Sequence, residues 1–284
     1  MQSILKKNQV LIALFVFSVL VLYSLSLCRY EMNRLFYFGV DWRDTFYPAL
    51  KLFLQGKNPY LVTTMHNPVW VLIPLIPFAW LGEPAGEIAI FFAAFVAYVY
   101  VALKLHASPV TILLLMASPL IVYNLMLGNV DWLVALGFVM PPTLGLFFVM
   151  LKPQIGIAVA AYWLWISYKN GGMRNVIKIF SPVTISLAVS FMVFGNWLTD
   201  KSDHLLSAYW NMSLFPYSVP IGLTLFFMAR KKMNYAVSAS PFFSPYLSVG
   251  SWSIVQLGIV DNKLLTFATT IGLWVVYILV SHVR

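Results

Sequence analysis

The chain has 284 residues, of which 61% are hydrophobic, 17% aromatic and only 10% charged, and its formal net charge at pH 7 is +9. A soluble domain of this size could not keep so apolar a surface from aggregating, so we exclude soluble classes and predict an integral membrane protein. The basic residues form short clusters at the ends of apolar runs instead of one continuous face, which argues against nucleic acid as a partner.

Apolar runs long enough to cross a bilayer of about 30 Å recur from one end of the chain to the other. We therefore predict one all-α, polytopic transmembrane domain over residues 1–284, with about ten membrane-spanning helices. Two of the runs are short for a crossing, and Pro141 with Pro142 could split a third into half-helices. The predicted spans are 10–28, 69–81, 88–105, 110–127, 132–150, 154–168, 179–195, 219–229, 236–259 and 264–282.

The basic clusters predict the topology, because positive charge collects on the cytoplasmic side. The first span follows one such cluster and is too long for a cleaved signal peptide, so we interpret it as a retained helix. An even number of predicted spans separates each cluster from the next, so all the clusters and both termini are predicted in the cytoplasm. The expected location is a bacterial plasma membrane. The clusters are Lys6–Lys7, 169–178, 230–232 and Arg284, and the segments then predicted on the opposite side are the first loop 29–68, the turn 151–154 and the second loop 196–218.

The first loop carries two aspartates three positions apart, Asp41 and Asp44, in a chain with only nine acidic residues. Apolar residues at helical spacing follow them and predict a short interfacial helix, with Pro48 in its first turn and Asp44 or Thr45 as its N-cap. The stretch 55–60, which contains glycine and proline, predicts a stop and a turn. Such a helix would hold the two carboxylates at the boundary between water and lipid.

Several short motifs, taken in order, resemble membrane glycosyltransferases of the GT-C superfamily. They are closest to glycosyltransferase family 87, the polyprenyl-phosphate-mannose-dependent mannosyltransferases. The first loop supplies Asp41–Ala49, Gly56–Tyr60 and Asn67–Pro68. Two later pieces, Leu127–Asp131 and the Lys-Pro turn Leu151–Gln154, resemble the corresponding stretches of the family, although glutamine and asparagine of the family pattern are replaced by Asn129 and Asp131.

This resemblance implies a GT-C-like fold and the transfer of a hexose from a polyprenyl-phosphate donor to a lipid or glycan acceptor. The attacking hydroxyl must lose a proton, so a carboxylate is needed as general base, and Asp41 matches the family's first-loop aspartate. Asp44 is the second catalytic candidate. The departing lipid phosphate needs a positive charge, and Lys152, with Arg43 as an alternative, suits that role. The remaining substrate-binding candidates are Tyr60, His66, Asn129 and Gln154.

Simpler interpretations remain open for these residues. Asp44 could be only a helix cap, Lys152 could extend from a helix end to the lipid headgroups, and His66 could be an ordinary loop histidine. Asp131 falls at the predicted cytoplasmic end of a span, which favours an interfacial carboxylate or a cap over a substrate ligand. We find no metal-ligand spacing and no cofactor motif in the sequence.

Two other classes of function are compatible with the composition. A transporter or lipid flippase also needs charges at the mouths of a cavity, but it usually carries ionisable groups near the middle of its spans. A non-catalytic subunit, or a degenerate transferase within a larger membrane assembly, is the other alternative, because a fold does not by itself imply activity. In either case membrane lipids, and in the second other membrane proteins, are the expected partners.

Overall fold

The computed structural model describes residues 38–197, 206–208 and 211–281. Within those ranges the secondary structure is entirely helical, which confirms the predicted all-α class. The predicted span 10–28 and much of the second loop, 196–218, lie outside the described residues.

The helical elements are short in most of the chain. Those of the amino-terminal part are Trp42–Phe46 (a π-helix), Tyr47–Leu54, Pro59–Leu61 and Val69–Leu75 (both 3₁₀), Ile76–Ala79, Glu83–Lys104, Pro109–Met116, Pro119–Leu127, Asp131–Gly137 and Pro142–Val149. Those of the carboxyl-terminal part are Pro153–Phe194, Val219–Met228, Asn234–Ala239, Ser240–Phe243 and Gly250–Trp252 (both 3₁₀), Ser253–Gly258 and Lys263–Ser281.

The predicted number of about ten spans, and with it the GT-C-like polytopic architecture, is wrong for the part of the chain that the structure describes. Two described helices, Glu83–Lys104 and Pro153–Phe194, are long and apolar enough to cross a membrane. The pair Pro109–Met116 and Pro119–Leu127 would add a third if it forms one span, although its two helices are bent by 60°. The predicted spans 69–81, 132–150 and 236–259 are each divided into shorter helices.

Proline explains several of the helix boundaries. Four of the described α-helices have proline at the first helical position, and the residue before each proline is pushed out of the α region by the pyrrolidine ring. Ser108, Ser118 and Pro141 accordingly have extended ψ angles of 160°, 136° and 138°. An apolar run that contains proline therefore gives two helices with a bend between them, where average hydropathy predicts one span.

Asp131–Gly137 and Pro142–Val149 form a tight antiparallel hairpin. The two helices approach so closely that a Cβ on Gly145 would lie 2.6 Å from the carbonyl oxygen of Gly137. At the open end of the hairpin, Lys152 Nζ lies 2.5 Å from Asp131 Oδ1. The two ends of the predicted span 132–150 therefore lie side by side, and not on opposite faces of a membrane.

The long element Pro153–Phe194 also turns back on itself. Gly171 and Gly172 have non-helical backbone angles, and Asn175 donates to the carbonyl oxygen of Ser167 across the break at 3.1 Å. A straight helix of this length would hold its ends about 63 Å apart. Instead, both ends contact the first loop: the Tyr60 ring lies 5.8 Å from Phe194 and its hydroxyl donates to Asn67, whose amide donates to Leu151.

Contacts between helices define two opposite ends of the described structure. At one end, which we call the Asp41 end, the Trp42 indole donates to the carbonyl oxygen of Glu83 at 2.9 Å, where the helix Glu83–Lys104 begins. That helix is about 33 Å long. At its other end, the Lys104 end, Asn234 donates to the carbonyl oxygen of Leu105 at 3.3 Å. Each end therefore collects residues from distant parts of the sequence.

The predicted interfacial helix exists but begins earlier than expected. Helical backbone starts at Val40 and passes through the π-helical turn Trp42–Phe46, so the prediction that Asp44 or Thr45 caps the helix is wrong. Pro48 has no N–H to donate, and the carbonyl oxygen of Asp44 accepts instead from the Thr64 hydroxyl at 3.0 Å. The predicted stop is confirmed, because the helix ends at Leu54 before the left-handed Gly56.

Candidate functional site

Two glycines bring Asp41 against a distant turn. Gly39 and Gly128 both have a φ of +67°, which favours glycine, and a Cβ on Gly128 would lie 3.7 Å from the Cα of Gly39. The amide of Gly39 also donates to the carbonyl oxygen of Met126 at 2.7 Å. The segment that carries Asp41 is therefore packed directly on the turn that leads to Asn129.

Asn129 connects the carboxylate of Asp41 to the ammonium group of Lys152. Its Nδ2 donates to Asp41 Oδ2 at 2.6 Å, and its Oδ1 accepts from Lys152 Nζ at 2.7 Å. The backbone N–H of Asp131 donates to the same Oδ1 at 3.2 Å. These partners fix the orientation of the amide, because its oxygen faces two donors and its nitrogen faces a carboxylate.

Lys152 is paired with Asp131 in the interior. The side chain of Asp131 has no exposed surface and that of Lys152 is 11% exposed. The prediction that Asp131 is an ordinary interfacial carboxylate or a cap at the cytoplasmic end of a span is therefore wrong. The hairpin of Asp131–Gly137 and Pro142–Val149 is the cause, because it brings the chain back to the level of Asp131 before Lys152.

The second oxygen of Asp131 is held by residues that the sequence analysis did not find. Ser251 Oγ donates to Asp131 Oδ2 at 2.8 Å, and Asn124 Nδ2 lies 3.3 Å from the same atom. Asn124 also donates to the carbonyl oxygen of Gly250 at 2.8 Å. The only signal in the sequence is the serine-rich stretch 248–253 within an apolar region, so the contact of Ser251 with Asp131 could not be assigned from spacing.

Burial and charge shape the protonation of this cluster. Burial raises the pKa of the Asp41 carboxyl to about 6; the Lys152 charge and the Asn129 hydrogen bond oppose the rise, and the Asp131 and Asp44 charges add to it. Burial alone would lower the pKa of Lys152, but the adjacent Asp131 and Asp41 carboxylates raise it, so the ammonium form is favoured. Asp41 remains partly accessible to solvent and can therefore exchange protons near neutral pH.

Asp44, Arg43 and Tyr60 make their contacts outside the cluster. Asp44 is 53% exposed and pairs with Arg43 at 3.1 Å, so both side chains are occupied with one another at the surface. Tyr60 is stacked on Trp197 at a centroid distance of 5.1 Å and fastens the first loop to the long helical element. His66 and Gln154 are half-buried.

Tyr246 is a further neighbour of Lys152 that was not predicted. It lies close enough for its hydroxyl to influence the charge of Lys152, and it belongs to the same carboxyl-terminal segment as Ser251. Among the residues that the structure describes, no three His, Cys, Asp or Glu side chains converge as metal ligands. The cluster thus consists of a partly open carboxylate, a bridging amide and a buried ion pair.

Comparisons with protein-family models, with curated proteins and with solved structures find no match to this chain.

Proposed function

We propose that this protein is a membrane glycosyltransferase that moves a hexose, such as mannose, from a polyprenyl-phosphate donor to a lipid or glycan acceptor. The observation that carries the proposal is the chain of contacts from Asp41 through Asn129 to Lys152. These three residues come from the motifs whose order resembles glycosyltransferase family 87. A base and a cation in one cluster are the two groups that this reaction requires.

The reaction is a single displacement. The acceptor hydroxyl attacks the anomeric carbon as its proton passes to the Asp41 carboxylate. A new bond forms between acceptor oxygen and anomeric carbon, and the bond from that carbon to the phosphate oxygen breaks with inversion. The leaving lipid phosphate is already an anion and needs no proton, but the charge that develops on its bridging oxygen is stabilised by Lys152.

The geometry limits where the sugar can lie. The Asn129 amide fills the space between the Asp41 carboxylate and the Lys152 ammonium group, so the sugar lies against the outer side of the three side chains. Lys152 uses two of its N–H donors on Asn129 and Asp131 and retains a third for a phosphate oxygen. Asp131 keeps Lys152 charged before the donor arrives.

The position of the Asp41, Asn129 and Lys152 cluster, at one end of a helix as long as a bilayer is thick, supports a reaction at a membrane boundary. Lys152 precedes the first turn of the arm 153–170, which is about 27 Å long, close to the thickness of a bilayer core. The far end of that arm is rich in exposed cations, which favours the cytoplasmic side. We assign the cluster to the extracytoplasmic side of a plasma membrane.

Two aspartate variants test the proposal. The purified protein is incubated with labelled polyprenyl-phosphate hexoses and lipid acceptors, and transfer is compared for wild type, Asp41→Asn and Asp44→Asn. Removal of a general base is expected to lower the rate about 100-fold or more, whereas Asp44→Asn should retain activity because that carboxylate pairs with Arg43 at the surface. Equal activity of all three proteins contradicts the assignment of Asp41, and no transfer by wild type with any donor contradicts the function.

A lipid transporter is the second candidate, and the buried ion pair between Lys152 and Asp131 is the observation in its favour. Broken helices around a charged cluster are also typical of transporters. Proteoliposomes distinguish the two functions. Movement of a labelled polyprenyl phosphate between leaflets, without transfer of its sugar, would support transport. Transfer with no effect on leaflet exchange would support the enzyme.

A further inference from the structure

At the Lys104 end, two cations from different parts of the chain approach one aromatic ring. Lys169 Nζ lies 5.8 Å from the centroid of the Trp165 ring, and Arg230 Cζ lies 5.7 Å from the same centroid. Arg230 also lies 5.6 Å from the centroid of Phe227. Each distance is within the range of a cation–π interaction, so both cations are neighbours of the same Trp165 ring.

The cations around this ring have little negative charge to balance them. Asp261 is the single carboxylate at this end among the described residues, and it pairs with Lys232. Neither Lys169 nor Arg230 forms an ion pair within the described ranges, and both are exposed. The described cations at this end are Lys104, Lys169, Arg174, Arg230, Lys231, Lys232 and Lys263.

Exposed apolar side chains border the same cations. Trp165, Leu164 and Tyr168 are 37%, 45% and 59% exposed on the arm that ends at Lys169, and Phe227 is 57% exposed beside Arg230. Aromatic side chains next to cations at the end of an apolar helix are typical of the headgroup level of a bilayer. An anion bound by Lys169 and Arg230 would therefore lie at the level where lipid phosphates lie.

We propose that Lys169, Arg230 and the Trp165 ring form a binding site for the headgroup of an anionic phospholipid of the surrounding bilayer. The phosphate is bound by both cations and offsets their positive charge, and the acyl chains follow the exposed apolar side chains of the two helices. The favourable charge interaction is that of a basic cluster with an anionic membrane surface. The site is independent of Asp41 and Lys152, which lie at the other end of the arm.

Thermal unfolding of the full-length protein in neutral detergent tests this site. The probes are short-chain phosphatidylglycerol, short-chain phosphatidylcholine and inorganic phosphate at equal ionic strength. We expect phosphatidylglycerol to raise the Tm by several degrees, because a ligand that binds only the native state stabilises it. Phosphatidylcholine and inorganic phosphate should raise it by less than a third of that shift.

Matched variants locate the effect. The double variant Lys169→Gln with Arg230→Gln should lose at least half of the shift, whereas Lys51→Gln with Lys57→Gln, which removes the same charge at the Asp41 end, should keep it. Lys169→Arg with Arg230→Lys preserves both charges and should also keep it, which separates loss of binding from damage to the fold. An equal shift with phosphatidylcholine or inorganic phosphate, or an unchanged shift in the glutamine double variant, overturns the proposal.

Discussion

At the Asp41 end, Lys152 is bonded to a carboxylate that has no exposed surface, whereas at the Lys104 end Lys232 meets Asp261 in a pair that water can still reach. The two pairs contain the same chemical groups. They differ in exposure, because the Lys152 and Asp131 side chains are 11% and 0% exposed and those of Lys232 and Asp261 are 34% and 30% exposed.

This difference in exposure determines what each charge can do. Water screens the exposed pair, so its net contribution to stability is small and its cation remains available to an external anion. The buried pair is protected from water, so each partner depends on the other and on the amide and hydroxyl groups around it. A buried cluster can hold a carboxylate with an unusual pKa, and an exposed basic surface cannot.

Lys152→Met should have the largest effect. It removes the partner of a fully buried carboxylate, and breaking such a pair typically costs about 3–5 kcal/mol. We expect a marked loss of stability in thermal unfolding of the detergent-solubilised protein. The double variant Lys152→Met with Asp131→Asn should recover much of the loss, because no charge is then left uncompensated. A single variant as stable as wild type would show that the pair is solvated and that the comparison of the two ends is wrong.

Gly250→Ala should disturb the same cluster from the carboxyl-terminal side. A Cβ at Gly250 would lie 2.1 Å from Asn124 Oδ1, so Asn124 would have to move away from Asp131. We expect a loss of about 1–3 kcal/mol, typical of forcing an extra group into a packed interior. Gly272→Ala is the matched control, since nothing lies within 4 Å of a Cβ there, and it should be neutral or stabilising. Equal effects of the two substitutions would contradict the proposed packing.

The members of the cluster differ in how far the sequence could predict them. Asp41, Asn129 and Lys152 were nominated because they stand in short motifs whose order resembles a known family. Asp131 was noticed but assigned to the face opposite Lys152, because a count of apolar runs does not register the reversal at Pro141 and Pro142. Ser251 lies 120 residues from Asp131, and no local pattern records a contact over that separation.

The sequence also predicted some features of the fold and missed others. Helical structure followed from the apolar composition, and the end of the first-loop helix followed from Gly56 and the residues around it. The number of crossings did not follow, because proline at helix starts divides runs that are uniformly apolar. Hydropathy measures how apolar a segment is and contains no information about where its backbone bends.

The pH dependence of stability should reveal the environment of Asp41. Burial raises its pKa from 3.8 to about 6, so the native state binds this proton more tightly than the unfolded chain does. Its contribution to stability is therefore largest below pH 4 and is lost as the pH rises through about 6. Asp41→Asn should gain stability relative to wild type over that window, as measured by Tm from pH 4 to 7.5.

If Asp41 is the general base, activity has the opposite dependence on pH. The ionised carboxylate is the form that accepts a proton, so kcat/KM should rise through a pH of about 6 and then level off. A profile that shows no rise in this region would contradict the base role even if stability changes as expected. The two measurements therefore separate the electrostatic environment of Asp41 from its chemistry.

Lys232→Gln should have the smallest effect, and it completes the comparison with Lys152. The exposed pair of Lys232 and Asp261 should contribute less than about 1 kcal/mol, because water screens both groups. The difference in Tm between this variant and wild type should shrink further at high salt, where the Debye length falls to about 3 Å. Lys152→Gln, measured in parallel, should remain strongly destabilised at the same salt concentration, because ions do not reach a carboxylate that has no exposed surface. Should salt reduce both differences equally, the two ends would not differ in the access of water, and the distinction between a buried cluster and an open basic surface would fail.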